Sequence, residues 1–230
     1  MSIFETATGT CAACGADAEV EVVMSVNADR RPDLRAEILA GTFQAVPCPA
    51  CGARVRVEPE FAYLDLGRGQ WIAVHPAADV ATWPEAERAA RDVFEESFGS
   101  GAPAAVRELV GDVHPRVVFG WPALQERLLC ADLGLDDVTV ELLKFALLSR
   151  ADGGLTWHGG DELRLAGGDA ETLGFDLLDG ATEAPRTRFQ VPRRAYDEIA
   201  AAPVAWAALR AQLAGGAFVD MARVMVATGE

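Results

Sequence analysis

Four of the chain's five cysteines fall into two near-copies of one phrase, TCAACGADA at residues 10–18 and PCPACGARV at residues 47–55. Both contain C-x-x-C-G-A. Two residues between cysteines suit a tight turn that aims both sulfurs at one point, and a glycine after the second cysteine permits a positive φ. Two such turns supply four thiolates, the donor set of a tetrahedral zinc ion. The candidate metal ligands are therefore Cys11, Cys14, Cys48 and Cys51. A thioredoxin-like redox pair needs only one C-x-x-C and leaves the second unexplained. A disulfide framework belongs to an oxidising compartment, whereas this chain reads as cytoplasmic. Iron is the alternative metal: rubredoxin-like turns use the same thiolates, usually among shielding aromatics. Here the flanks are Ala, Asp, Val and Arg, which favours zinc, although ligand count alone does not separate the two.

Ribbon-type zinc sites commonly place about 15–20 residues between their cysteine pairs; here 33 residues separate Cys14 from Cys48. The excess is a helix inserted between two hairpins, RPDLRAEILAG at residues 31–41, with Pro32 early, Leu34 and Ile38 four apart, and a closing Gly41. Each doubling of a flexible loop costs roughly 0.6 kcal/mol. Structural zinc contributes on the order of 10 kcal/mol in small fingers, so the metal outweighs the longer loop.

The elements around the turns read as a small sheet. AEVEVVMSV (18–26) and ARVRVEP (53–59) alternate, TFQAVP leads into the second turn, and FAYLDL and QWIAVHP are strands joined by GRG at 67–69. Residues 1–80 thus form a four-cysteine ribbon region. Residues 81–150 read as helical. TWPEAERAARDVFEESFG has Thr82 as N-cap and Pro84 in its first turn. PALQERLLCADLG stops at Gly134, and DDVTVELLKFALLSR is capped by Asp136 or Asp137, with Val138, Leu142 and Phe145 or Ala146 on one face. The last two form a helical hairpin. In residues 151–230, LTWHGGDELRLAGG, TLGFDLLDG and TRFQVP form a meander, RRAYDEIAAA (193–202) and VAWAALRAQLA (204–214) are helices, and AFVDMARVMVA (217–227) is a strand. The expected fold class is α+β.

The sequence resembles the CpXC-domain family of bacteria and archaea, named for two Cys-Pro-x-Cys motifs. The likeness rests on TCAACG, PCPACG and the DRRPDLRAEILAGTFQAVPCPACG stretch, and extends to RVVFGWPALQERL (116–128) and GLDDVTVELLK (134–144), which look like the family's downstream helical segment. Ala12 stands where the family motif has proline, which loosens the first turn. The resemblance implies a metal-bearing ribbon and no activity.

Composition narrows the function classes. Half the residues are hydrophobic and 24% are charged, the globular range. The net charge of −15 is spread along the chain without a basic patch. Phosphate-backbone binding needs clustered Lys and Arg, so neither nucleic acid nor an anionic membrane is an expected partner. The amino terminus lacks a secretory signal pattern, and the apolar stretch near 201–226 is broken by Arg210, Asp220 and Arg223.

No nucleotide-loop, zincin or nucleophile-elbow motif is present. His75 and His114 each precede a proline. His158 could pair with Asp161 or Glu162 as acid and base, but it reads as a surface hairpin tip. Cys130 lies in RLLCADL and reads as core. Carboxylate runs such as DVFEESF read as solvated faces, and the five tryptophans as core or interface anchors. With four cysteines filling the metal's positions, catalysis at the metal is not expected. The expected function is a non-catalytic module acting on another protein; the alternatives are rubredoxin-like electron transfer and an enzyme with its site in the C-terminal half.

Overall fold

Two short hairpins carry the cysteine turns in a computed structural model that describes residues 4–111, 113–149, 158 and 160–227. Strand β1 (Phe4–Thr10) pairs antiparallel with β2 (Asp17–Val23), so that Cys11 follows one strand directly. The chain divides into two compact units, Met1–Trp121 and Pro122–Glu230.

In the first unit the strand expected over 18–26 is split at the half-exposed Met24. Its first part belongs to the hairpin, and its second, β3 (Ser25–Asn27), joins a different sheet. Helix α1 (Pro32–Ala40) follows, buries Leu34 and Ile38, and ends at Gly41 in the left-handed conformation. Strands β4 (Ala45–Pro47) and β5 (Arg54–Arg56) form the second hairpin. Then come β6 (Phe61–Asp65) and β7 (Gln70–His75), paired antiparallel. Their turn is anchored from outside by Asp29, which accepts from the Leu66 and Gly67 N–H groups at 2.8 and 3.1 Å, and from within by buried Asp65, which accepts from Arg68 N–H.

Helix α2 (Trp83–Phe98) packs Phe94 edge-on against buried Trp71 at 5.5 Å, and α3 (Ala104–Val110) follows. Thr82 sits at the N-cap position of α2, but its hydroxyl donates back to the Asp79 carbonyl and caps nothing. The segment expected to be helical also contains a strand, β8 (His114–Phe119). Its Val117, Val118 and Phe119 are buried, and it pairs parallel with β7, which makes the sheet order β3-β6-β7-β8. A parallel pair needs a long crossover, and α2 and α3 supply it.

Helix α4 (Gly120–Asp132) and α5 (Asp137–Ser149) form the expected helical hairpin. Asp136 caps the second helix by accepting from Thr139 N–H at 2.9 Å. The meander is β9 (Glu162–Gly168), β10 (Thr172–Leu178) and β11 (Pro185–Pro192), antiparallel in the order β11-β10-β9. Helices α6 (Arg194–Ala200) and α7 (Ala207–Leu213) complete a core with Cys130, Leu142, Leu165, Phe175, Ile199 and Leu213.

The expected strand over 217–227 is a correction: its second half is α8 (Ala222–Ala227), started by Asp220, whose carboxylate accepts from Ala222 N–H at 2.9 Å. Trp157 and the opening of LTWHGG lie outside the described residues. No helix among those described is long and apolar enough to cross a membrane.

Helix α5 departs from the expected one-sided pattern, because every residue from 138 to 144 is buried, including Glu141 and Lys144. Lys144, the chain's only lysine, has Nζ 2.9 Å from Glu126 and 2.7 Å from Glu141. Removing Lys144 takes one cation from a buried cluster, leaving Glu126 to Arg164 and Glu141 to Arg127, and losing one partner of a buried pair costs about 3–5 kcal/mol. Lys144→Met is therefore expected to destabilise the second unit by about that amount, read as earlier labelling of buried Cys130 during urea unfolding. Unchanged labelling refutes the assignment.

Acid has a calculable sign. Burial alone raises the carboxyls of Glu126 and Asp220, but Lys144 and Arg164 outweigh it at both and hold them below the usual range. On acidification the unfolded chain takes up these protons first. The stabilisation these two groups contribute is complete above about pH 5 and is lost as pH falls further. The melting temperature of the second unit should fall between pH 5 and pH 3, less steeply in Asp220→Asn.

Candidate metal centre

The two cysteine turns are built alike. In the first, Cys11 N–H donates to the Ala16 carbonyl at 2.8 Å and Gly15 N–H to the Cys11 carbonyl at 2.8 Å; in the second, Cys48 N–H reaches Ala53 at 2.7 Å and Gly52 N–H reaches Cys48 at 2.9 Å. Gly15 and Gly52 both have φ +74°, which a Cβ would strain. Ala12 at the motif's proline position therefore leaves the turn geometry intact.

All four sulfurs lie within 4.8 Å of one another. Across the hairpins, Cys11 Sγ is 3.7 Å from Cys51 and Cys14 Sγ is 3.6 Å from Cys48. A tetrahedral ion with metal–sulfur bonds of about 2.3 Å has sulfur–sulfur edges of about 3.8 Å, so the donor set fits. Disulfide bonds are near 2.05 Å, and all five cysteines are free thiols. Each turn contributes one buried sulfur and one exposed one: Cys11 and Cys48 are 2% and 3% exposed, while Cys14 and Cys51 face solvent.

Beneath the sulfurs lies a small core of Cys11, Ala18, Val20, Cys48 and Val55, packed by Ala16, Val22, Val46, Ala53 and Val57. It contains no aromatic ring. Gly9 makes the close approach of the hairpins possible, since a Cβ there would stand 2.8 Å from Val55 Cγ1. The strand leaving the second turn is fixed by aromatics further along. Arg56 lies over the Trp121 ring at 4.9 Å, and Trp121 Nε1–H donates to the Val57 carbonyl at 3.1 Å. Trp121 in turn meets Phe43 edge-on at 5.9 Å.

Electrostatics within the quartet are uneven. Backbone N–H groups of Ala50 and Cys51 stabilise the Cys48 thiolate and bring its pKa to about 7. At Cys14 the N–H of Ala16 acts in the same direction, but Cys51, Cys48 and burial outweigh it and raise the thiol to about 12. Four thiolates this close cannot all carry charge unaided, whereas a divalent cation would deprotonate and hold them together.

The remaining sequence candidates do not assemble into a second site among the described residues. The His158 ring is 56% exposed, with Nδ1 3.4 Å from Asp161. Asp161 is already occupied, accepting from His158 N–H and pairing with Arg186 at 3.1 Å. Glu162 is bonded to Arg164. The His75 ring lies 5.5 Å from Phe119, with its pKa lowered by burial. Cys130 is buried and its thiol pKa raised, chiefly by burial, so it is inert core. Sequence reading missed the buried charges Glu126, Arg127, Glu141 and Lys144. Their signal was available as charged residues inside the otherwise apolar stretches PALQERLL and VTVELLKFALL.

The chain belongs to the CpXC protein family, whose model matches residues 10–144, more than half its length. It is 28% identical over 197 residues to an uncharacterized protein of Treponema pallidum (strain Nichols), which covers 80% of this chain and 81% of the relative. No solved structure matches it.

Gly9→Ala forces the hairpins apart and should weaken metal binding about tenfold in competition with a chromophoric chelator, since misplaced ligand shells typically cost 10–100-fold. Adding Val55→Ala removes the clash and should restore most of the affinity. Equal affinities for all three proteins show that hairpin approach does not set the site.

Proposed function

We propose that Cys11, Cys14, Cys48 and Cys51 hold one structural zinc ion that fastens the two hairpins, in a non-catalytic module that acts by binding another protein. The observation that carries the zinc reading is the sulfur geometry: four cysteine sulfurs within 4.8 Å of one another, two of their separations close to a tetrahedral edge, would leave no open position for a substrate or an activated water. The ion would supply the positive charge that lets the four sulfurs ionise together. The aliphatic surroundings favour zinc over iron, because the core packed beneath the sulfurs, among the described residues, contains no aromatic ring. The reading of a protein partner rests on exclusion. No catalytic constellation forms among the described residues, and the chain's net charge of −15 opposes polyanions.

Elemental analysis of protein purified without added metal, paired with its visible spectrum, is the test. One zinc per chain and no colour is the expected result, repeated after iron-supplemented growth. A red sample with one iron replaces this reading with electron transfer at the same cysteines. Because ligation requires thiolates, apparent zinc affinity should rise as pH increases from 6 to 8. A flat profile excludes ligation by the raised Cys14 thiol. Purification from native lysate should recover a stoichiometric partner, and repeated recovery of none counts against the interaction role.

A further inference from the structure

Residues 217–221 belong to no helix or strand, yet Ala217, Phe218, Val219 and Asp220 are all buried. A buried irregular segment must find partners for its backbone polar groups outside any ladder. Here charged side chains provide them. Arg127 donates to the Val219 carbonyl, Arg223 to the Phe218 carbonyl at 3.3 Å, and Glu141 accepts from Met221 N–H at 3.0 Å. The segment's own carboxylate, Asp220, lies 2.7 Å from Arg164 Nη1.

These contacts are the outer layer of one buried ion cluster. Glu126 accepts from Lys144, from Arg164 at 3.2 Å and from Leu165 N–H at 2.7 Å. Glu141 accepts from Lys144 and from Arg127 at 2.9 Å. Asp137 stands 3.7 Å from Arg127, and Glu162 is paired with Arg164. The cluster thus joins α4, α5, β9 and the segment.

We propose that residues 217–224 form a releasable strap, locked by this ion cluster and able to open while the helical hairpin and the meander stay folded. Three observations support it. The strap shares no ladder with the sheet, so its departure breaks no strand pairing. The helices and strands beneath it keep their own backbone hydrogen bonds. Opening also returns Asp220 to water and leaves Arg127 and Arg164 with their other partners Glu141 and Glu126. Buried ion pairs gain little over hydrated charges, while the burial of Phe218 and of Val219, part of the core beneath, holds the strap down. The closed strap is therefore held by these two side chains together with each ion having its partner. Removing one stabilises the open form selectively.

Amide hydrogen exchange of the full-length, metal-loaded protein tests this. Asp220→Asn keeps an oxygen for the Ala222 N–H but removes the charge facing Arg164. Exchange at the amides of residues 221–224 should accelerate about a hundredfold, while the β9 and β10 amides change less than threefold. Unchanged exchange in the strap overturns the proposal. So does an equal acceleration of strap and sheet, which would make the segment an inseparable part of the core. If the variant does not fold, wild-type exchange in sub-denaturing urea decides: strap amides opening with little urea dependence support the lock, and strap and sheet amides merging into one steep isotherm refute it. Arg188→Gln, at the exposed pair with Asp176, is the control and should leave both regions unchanged.

Discussion

Four sulfurs brought within 4.8 Å of one another are the constraint on which the first unit depends. Like-charged ligands at that spacing repel unless a cation sits among them, and the polypeptide must aim them before any ion arrives. The chain meets the second requirement with repeated local geometry. Each turn returns the chain through the same pair of backbone hydrogen bonds, and each glycine takes the same left-handed conformation. Two copies of one turn, facing each other across a core of small aliphatic side chains, produce a four-fold donor set with little additional design.

That economy explains the residues around the quartet. A bulky core beneath the sulfurs would push the hairpins apart, and Gly9 marks how close they come. The rigidity missing from so small a core is supplied from the side, where Trp121 holds the outgoing strand by a hydrogen bond to Val57 and by its stack with Arg56. Small cores commonly need such a staple, and a metal is one of the usual kinds. The 33-residue span between the turns is no burden, since α1 and β3 occupy it and loop closure grows slowly with length.

The second unit fixes its parts with buried ions of its own side chains. It buries Glu126, Glu141, Arg127, Lys144 and Arg164 where apolar side chains would have packed. Well-packed hydrophobic residues often match or exceed buried ion pairs in stability, so the ions are better understood as specifying an arrangement than as strengthening it. What they specify is visible in their contacts. They satisfy the backbone of a segment that no sheet or helix could have satisfied, and they place Asp220 to start α8.

Sequence alone determined the four-cysteine cluster, the two turns, the helix between them, the helical hairpin and the meander, and it identified Cys130 as core. These are local properties: residue spacing, alternation, caps and glycine positions report the chemistry of a few neighbouring residues. Tertiary structure decided the rest. His114–Phe119 became a strand because β7 offered an edge and the intervening helices supplied the crossover. The alternating stretch after Cys14 was divided at Met24 because its two halves found different partners. Residues 217–221 remained irregular because side chains from α4, α5 and β9, up to 92 positions away, bonded them in place. Whether a charged residue is a solvated face or a buried anchor depends on what the fold brings against it, and no window of sequence contains that partner.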